Sequence, residues 1–224
     1  PTTSSAASDV YKRQAFDGDG DRLIIVDKNA KELNGDDILF VLARDKFENQ
    51  ITLDSKGVVG TIMTNKGLEN SLTEMGVDLV RSDVGDRYVL QKLEELNWDL
   101  GGEQSGHIIS LDSSNSGDAI IAAIKFLEAY ICSNLPLDQL LKPFVKYPQI
   151  LTNIKTDNSE KVLKNKNFKN LLKEISLNLK KYDGRVNVRA SGTEPLIRIM
   201  VESKNEKETK AASTILSNFV KELT

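Results

Sequence analysis

The chain has a single cysteine in 224 residues, so no internal disulfide can staple it. That residue, Cys132, lies in an apolar helical stretch and fits a reducing compartment, so cytoplasmic residence is the expectation. No apolar run is long enough to cross a bilayer as a helix, and the N-terminus lacks the apolar core of a signal peptide. A membrane is therefore not an expected partner. Strong charge of either sign is also lacking: Lys and Arg number 30, Asp and Glu 33, and the net charge is −3. Nucleic acid is not an expected partner either, because its binding needs a basic footprint. The basic residues are scattered, apart from small clusters such as 161–169, which read as a solvated helix face. Internal repeats and low-complexity tracts are absent. The composition that is present, 39% apolar and 28% charged, suits a soluble globular chain long enough for one large or two ordinary domains.

Residues 1–14 are small and polar, without periodicity. From Ser4 to Gln14 they read SSAASDVYKRQ, which back-translates codon by codon into a transposon sequencing adapter. A disordered native tail is the alternative; the expectation is a non-native leader over 1–14, outside fold reasoning, with native sequence missing ahead of it.

The run Asp17-Gly18-Asp19-Gly20-Asp21-Arg22 carries the densest chemistry. Three carboxylates alternate with glycines, so a turning backbone can aim them at one point. Hard divalent cations take such oxygen ligands. An acidic, glycine-rich surface turn is the plainer alternative. An EF-hand is excluded, because its sixth and twelfth positions would be Arg22 and Lys28 rather than Gly and Glu. Arg22 beside the carboxylates suits a site that also meets an anion such as phosphate. The apolar run at 23–26 reads as a buried strand that anchors the loop.

Farther along, Asp36 or Asp37 is expected to cap a helix over 38–47. A strand over 58–63 follows, then a helix capped by Asn65 and running to about 75. Strands over 77–80 and 108–111 flank a helix over 86–96, and a strongly apolar helix covers 118–131. Strands alternating with helices imply a parallel or mixed α/β sheet. Pro143 and Pro148 bracket a linker over 141–148. Beyond it, strands over 150–154, 185–188 and 197–202, with helices over 168–179 and 206–223, read as a separate small α+β domain.

Two further loops stand out. In Gly101-Gly102-Glu103-Gln104-Ser105-Gly106-His107, donors and acceptors crowd into one turn, which suits sugar hydroxyls; a polar turn with a structural histidine is the alternative. In Arg189-Ala190-Ser191-Gly192-Thr193-Glu194-Pro195, a cation, two hydroxyls and a glycine amide can hold phosphate, with Arg198 on the next strand as another fork. The alternative there is an ordinary strand connection with Arg189 exposed. A Walker loop is excluded, since its Gly-Lys-Ser/Thr ending is missing. Arg87, in Gly85-Asp86-Arg87-Tyr88, could reach an anionic ligand or sit as a first-turn surface residue, and the glycines of 57–60 read as strand packing.

The order and spacing of the three loops resemble the α-D-phosphohexomutases: DGDGDR their metal loop, GEQSGH their sugar loop and RASGTEP their phosphate loop. The resemblance covers everything after the leader and is strongest to the branch that acts on glucosamine phosphates, through VVGTIMTN, VGDRYV, GGEQSGHII and RASGTEPLIRIMVE. Thr64, and Ser116-Gly117-Asp118-Ala119, depart conservatively from the usual pattern. The resemblance implies an α/β fold: a mixed-sheet α/β domain three over 35–142, a small α+β domain four over 148–224, and a remnant of domain two over 15–34. Mg²⁺ would sit on Asp17, Asp19 and Asp21, with Arg22 supporting a phosphoserine. Glu103 and Ser105 would grip the phosphosugar hydroxyls, with His107 supporting them. Arg189, Ser191, Gly192, Thr193 and Arg198 would hold the non-reacting phosphate. The implied reaction interconverts glucosamine 6-phosphate and glucosamine 1-phosphate through a phosphoserine and a bisphosphate, feeding UDP-N-acetylglucosamine synthesis. The nucleophilic serine is expected upstream, which would leave this stretch alone inactive. The 23–26 strand is expected to lack its sheet partners, so that removing 1–34 would hardly disturb the rest.

Overall fold

In the computed structural model, which describes residues 13–49, 57–192 and 194–223, the acidic loop joins two strands of a hairpin. Strands β1 (Arg13–Phe16), β2 (Leu23–Val26) and β3 (Glu32–Leu33) form an antiparallel sheet in the order β1-β2-β3. The expectation of an unpartnered 23–26 strand is corrected here. Phe16 pairs with Leu23 and Arg13 with Val26 on one side, and Ile25 pairs with Leu33 on the other. Both flanking strands come from adjacent sequence, so the backbone groups of β2 find partners locally. Residues 1–12 of the expected leader lie outside the described residues. Arg13 and Gln14, which the sequence reading set aside with it, stand in β1, and the Gln14 amide donates to the Ala123 carbonyl at 3.4 Å.

The chain divides into two compact units, Pro1–Thr64 with Leu68–Val145, and Asn65–Gly67 with Lys146–Thr224. In the first, helix α1 (Gly35–Asn49) starts earlier than expected and is capped by Asn34 rather than by either aspartate. The Asn34 side chain accepts from the amides of Asp36 and Asp37 at 3.2 and 3.4 Å, and the Asp37 carboxylate accepts from the Asn34 amide at 2.8 Å. This reciprocal arrangement satisfies the first orphan donors of the helix, a contribution of about 1 kcal/mol. Strands β4 (Gly57–Thr61), β5 (Asp78–Ser82), β6 (Leu100–Gly102) and β7 (Ile108–Ser110) form a mixed sheet in the order β5-β4-β6-β7. Only the β6–β7 pair is antiparallel. Helices α2 (Lys66–Glu74) and α3 (Asp86–Leu96) connect its parallel strands. Strand β6 takes in Gly101 and Gly102, which the sequence places in a ligand-binding loop. A Cβ at Gly101 would lie 2.8 Å from the Val59 carbonyl, so the close approach of β4 requires glycine there.

Helix α4 (Ala119–Cys132) is capped by Asp118, whose carboxylate accepts from the amides of Ile120 and Ile121 at 2.9 and 3.0 Å. Leu23, Ile25 and Leu33, set apart in sequence, are fully buried in one core with Ile38 and Phe40 of α1 and Phe126 of α4. Helix α5 (Leu137–Leu141) gives no clear periodic signal, as its five residues make little more than one turn. Among the described residues no helix is long and apolar enough to cross a membrane.

The second unit is a three-stranded antiparallel sheet of β8 (Gln149–Lys155), β9 (Arg185–Ala190) and β10 (Leu196–Glu202), in the order β8-β10-β9. Alternation along β10 sends Ile197, Ile199 and Val201 into a core with Phe168 and Leu216, leaving Arg198 on the other face. Helices α6 (Ser159–Lys164), α7 (Lys166–Lys180) and α8 (Glu206–Glu222) complete this unit. The side chains of Asn165 and Asn205 cap α7 and α8.

Candidate functional site

The acidic loop is shaped by its first aspartate. Asp17 Oδ1 accepts from the amides of Gly20, Asp21 and Arg22 at 3.1, 3.2 and 3.3 Å, and Gly20 takes φ 72° to close the turn. Desolvation opposes the charge of Asp17. The side-chain hydrogen bond with Asp21 and these backbone donors outweigh it and hold the carboxyl below its ordinary value. Arg22 Nε lies 3.8 Å from Asp17 Oδ2.

Asp21 Oδ2 lies 3.2 Å from His107 Nδ1, while its Oδ1 is buried with no hydrogen-bond partner. Asp19 is exposed. Among the described residues no three His, Cys, Asp or Glu side chains are gathered as a metal cluster, so the structure draws together Asp17 and Asp21 but not the full expected trio. Two neighbouring carboxylates, one with an orphaned buried oxygen, nevertheless fit a hard cation such as Mg²⁺, which takes oxygen ligands.

The 101–107 loop is stitched directly to the acidic one. Arg22 and His107 form an antiparallel bridge, and the Leu23 amide donates to the Gly106 carbonyl at 3.0 Å. On the far side of the acidic loop, the Ala119 amide at the start of α4 donates to the Gly20 carbonyl at 3.1 Å. Gly106 takes φ 95°, and a Cβ there would stand 2.2 Å from the Leu23 carbonyl oxygen; only glycine permits this seam. Within the loop, the Glu103 amide donates to the His107 carbonyl at 2.9 Å and the Gly106 amide to the Glu103 carbonyl at 3.0 Å.

His107 is 6% exposed, with Nε2 buried and unpartnered against Gly117, where a Cβ would lie 1.9 Å from that nitrogen. Glu103 Oε1 accepts from the Gly85 amide at 2.9 Å, which fixes the start of α3. Ser105 is exposed. Gln104 turns back into the protein: its side-chain amide donates to Asp36 Oδ2 at 3.2 Å, and its backbone carbonyl accepts from the Gly35 amide at 3.0 Å. Arg87 hydrogen-bonds the Tyr88 hydroxyl and lies 4.4 Å from the centre of the Tyr88 ring, still exposed.

In the second unit, Arg189 on β9 and Arg198 on β10 are direct antiparallel partners. Arg198 Nη2 lies 3.2 Å from Glu194 Oε2, and its Nε is buried without a hydrogen-bond partner. The turn between the strands is held by the Ser191 amide donating to the Leu196 carbonyl at 2.9 Å. Around Gly192, nothing described stands within 4 Å of the position a Cβ would take, so the backbone is open to an approaching group. Thr193 lies outside the described residues.

Sequence reading missed Gly35, Asp36 and Gly117 as residues of this neighbourhood. Asp36 reads locally as a helix cap, and Gly117 stands in a stretch that departs conservatively from the family pattern, so neither signals a role beside a distant loop.

Two family profiles match the chain. One described as Phosphoglucomutase/phosphomannomutase, alpha/beta/alpha domain III, covers residues 34–147; the other, Phosphoglucomutase/phosphomannomutase, C-terminal domain, covers 151–213. The chain is similar to the phosphoglucosamine mutase of Proteus mirabilis (strain HI4320), with 43% identity over 208 residues, 92% of this chain and 46% of the relative. It is likewise similar to the phosphoglucosamine mutase of Acinetobacter baumannii, with 45% identity over 209 residues, 92% of this chain and 45% of the relative. The chain thus spans about half the length of the curated relatives it matches. Among solved structures, Aspergillus fumigatus N-acetylphosphoglucosamine mutase in complex with GlcNAc-6P and magnesium matches with a TM-score of 0.76 and 19% identity, over 96% of this chain and 50% of that one. An N-acetylglucosamine-phosphate mutase of the alpha-D-phosphohexomutase superfamily, in its product complex, matches with a TM-score of 0.75 and 20% identity, over 93% and 48%. These two likenesses show a shared fold.

Proposed function

The chain belongs to the phosphoglucomutase/phosphomannomutase family, and from that premise we propose that it acts in a phosphoglucosamine mutase, interconverting glucosamine 6-phosphate and glucosamine 1-phosphate. The observation that carries this reading is the seam between the acidic and 101–107 loops. The Arg22–His107 bridge and the Asp21–His107 contact join the loop that carries Asp17 and Asp21 to the Glu103–His107 loop, whose polar groups this reading assigns to sugar hydroxyls. A phosphosugar needs both at the same end, because phosphoryl transfer is chiefly positioning and charge stabilisation.

In this reading Asp17 and Asp21, with Asp19 from the same loop, would hold Mg²⁺. When bound, the ion supplies positive charge to the oxygens of the transferring phosphoryl group. Arg22 adds a fixed cation beside them. Glu103 and Ser105 hydrogen-bond the sugar hydroxyls, while His107, clamped between Asp21 and Gly117, holds the two loops in register. Arg189 and Arg198, with Ser191, Gly192 and Thr193, hold the phosphate that is not reacting. A phosphoserine from a part of the enzyme outside the matched half of its relatives donates its phosphoryl group to the sugar, and the bisphosphate then returns the other phosphate. Cytoplasmic residence belongs to the same reading and fits the single cysteine, Cys132.

A substrate panel tests it: kcat/KM of the mutase that contains this chain, measured for the 1-phosphates of glucosamine, glucose and mannose. The glucosamine phosphate should be preferred. Preference for mannose 1-phosphate would move the chain to the phosphomannomutase or phosphoglucomutase branch. Binding of phosphosugars without turnover would make it a non-catalytic binding module.

A further inference from the structure

We propose that Asp36 is a positioning residue for the Glu103–His107 loop, acting through Gln104; this rests on the reading of that loop as the hydroxyl-binding element of the site. Asp36 is fully buried in the first turn of α1, where the helix dipole favours a carboxylate. It does not cap α1, since Asn34 does that. Its Oδ2 instead accepts the Gln104 side-chain amide at 3.2 Å, a hydrogen bond to a charged acceptor across 68 residues of sequence. A second tether runs beside it: the Gly35 amide donates to the Gln104 carbonyl at 3.0 Å. The fit is tight, because a Cβ on Gly35 would lie 1.9 Å from the Glu103 carbonyl oxygen and 2.9 Å from the Gly106 nitrogen. The start of α1 is thus a mould against which the loop backbone is pressed, and Gln104 is the peg. Glu103 and Ser105, on either side of the peg, take their aim from it.

One consequence concerns sugar choice. With its amide on Asp36, Gln104 supports the loop and does not read the sugar's substituents. Replacing it therefore weakens every hexose phosphate alike and leaves their ratio unchanged.

Hydrogen exchange on the 224-residue chain tests the positioning role without reference to activity. The probes are the amides of Glu103 and Gly106, both hydrogen-bonded within the loop. Loss of a hydrogen bond to a charged group should speed their exchange about tenfold or more in Asp36→Ala. Asp36→Asn retains an acceptor for the Gln104 amide and should restore slow exchange. If Asp36→Ala and Asp36→Asn lower the melting temperature equally while both amides keep wild-type exchange, Asp36 serves only α1 and the proposal fails. Should Asp36→Ala not fold, Gln104→Leu, altered at a half-buried loop position, takes its place: unchanged exchange there also overturns the proposal. A parallel titration with glucosamine 6-phosphate and glucose 6-phosphate separates the two readings. Equal weakening of both sugars in Gln104→Leu supports the positioning role, and a changed ratio overturns it. If the wild-type chain binds neither sugar while loop exchange still responds to Asp36→Ala, the positioning role stands and the hydroxyl-binding reading falls.

Discussion

Arg189 and Arg198 face each other as direct partners across the β9–β10 ladder. Like charges so placed destabilise a sheet unless something answers them, and here Glu194 answers only Arg198, at 3.2 Å. An anion between the two guanidinium groups would complete the arrangement. Arg189→Ala should therefore weaken phosphosugar binding by about 1.5–3 kcal/mol, the scale of a charged hydrogen bond. The stability of the unliganded chain should change by no more than about 0.5 kcal/mol, because repulsion is relieved as contacts are lost. Titration calorimetry and thermal melts give both numbers. Normal binding with a much lower melting temperature would make Arg189 structural.

Asp19 offers a clean test of the cation. It is exposed, whereas Asp17 shapes the turn and Asp21 meets His107. Mg²⁺ should raise the melting temperature of the wild-type chain, and Asp19→Ala should reduce that rise while leaving the metal-free melt unchanged. An identical Mg²⁺ response in the variant would remove Asp19 from the ligand set.

Gly117→Ala should push His107 out of place, since the added Cβ would fall 1.9 Å from Nε2 of a buried ring. The Asp21 contact would then be lost and the two loops would part. Imidazole nitrogen chemical shifts should move toward those of an exposed histidine; unchanged shifts would mean that the loop around Gly117 yields instead.

Acid should release a charge cluster on the first unit. Burial opposes the charge of Asp112. Hydrogen bonds from Lys125, Ser110 and Ser113, with the charge of Lys125, outweigh it and lower the carboxyl from 3.8 to about 2. Lys46 adds a further contact at 3.7 Å. A carboxyl depressed on folding stabilises the native state above its unfolded value, and that contribution fades as pH falls from above 4 toward about 2. Chemical denaturation of Asp112→Asn should show a deficit at pH 7 that closes over this window. A deficit constant down to pH 2 would refute the role of charge.

Leu23 should be as sensitive as any core residue. It is fully buried with Phe40 and Phe126, so Leu23→Ala should cost about 2–5 kcal/mol by urea denaturation of the first unit. Deleting 13–34 removes Ile25 and Leu33 as well and should unfold that unit, contrary to the expectation drawn from sequence that this segment is dispensable. A deletion that melts like the whole chain would restore that expectation.

Much of the chemistry is local, and local patterns carried it. Alternating carboxylates and glycines mark 17–22, α3 falls on the 86–96 periodicity, and Asp118 and Asn65 cap the helices they precede, because capping and period act over three or four residues. Registers and long-range partners were not legible. The sequence of β2 reads as a buried strand, yet only Leu23 and Ile25 are buried while Ile24 is exposed, and nothing in it says that β1 and β3 pair with it. The two aspartates after Gly35 look like caps until Asn34 takes the amides and Asp36 turns to Gln104. His107 reads alike as a hydroxyl-binding group or a structural histidine until the bridge with Arg22 sets it beside Asp21. Composition and spacing determined which groups are available and what each short segment prefers. The tertiary structure decided which groups meet, because such contacts depend on how distant segments pack, and burial then makes each partnership costly to leave unmade.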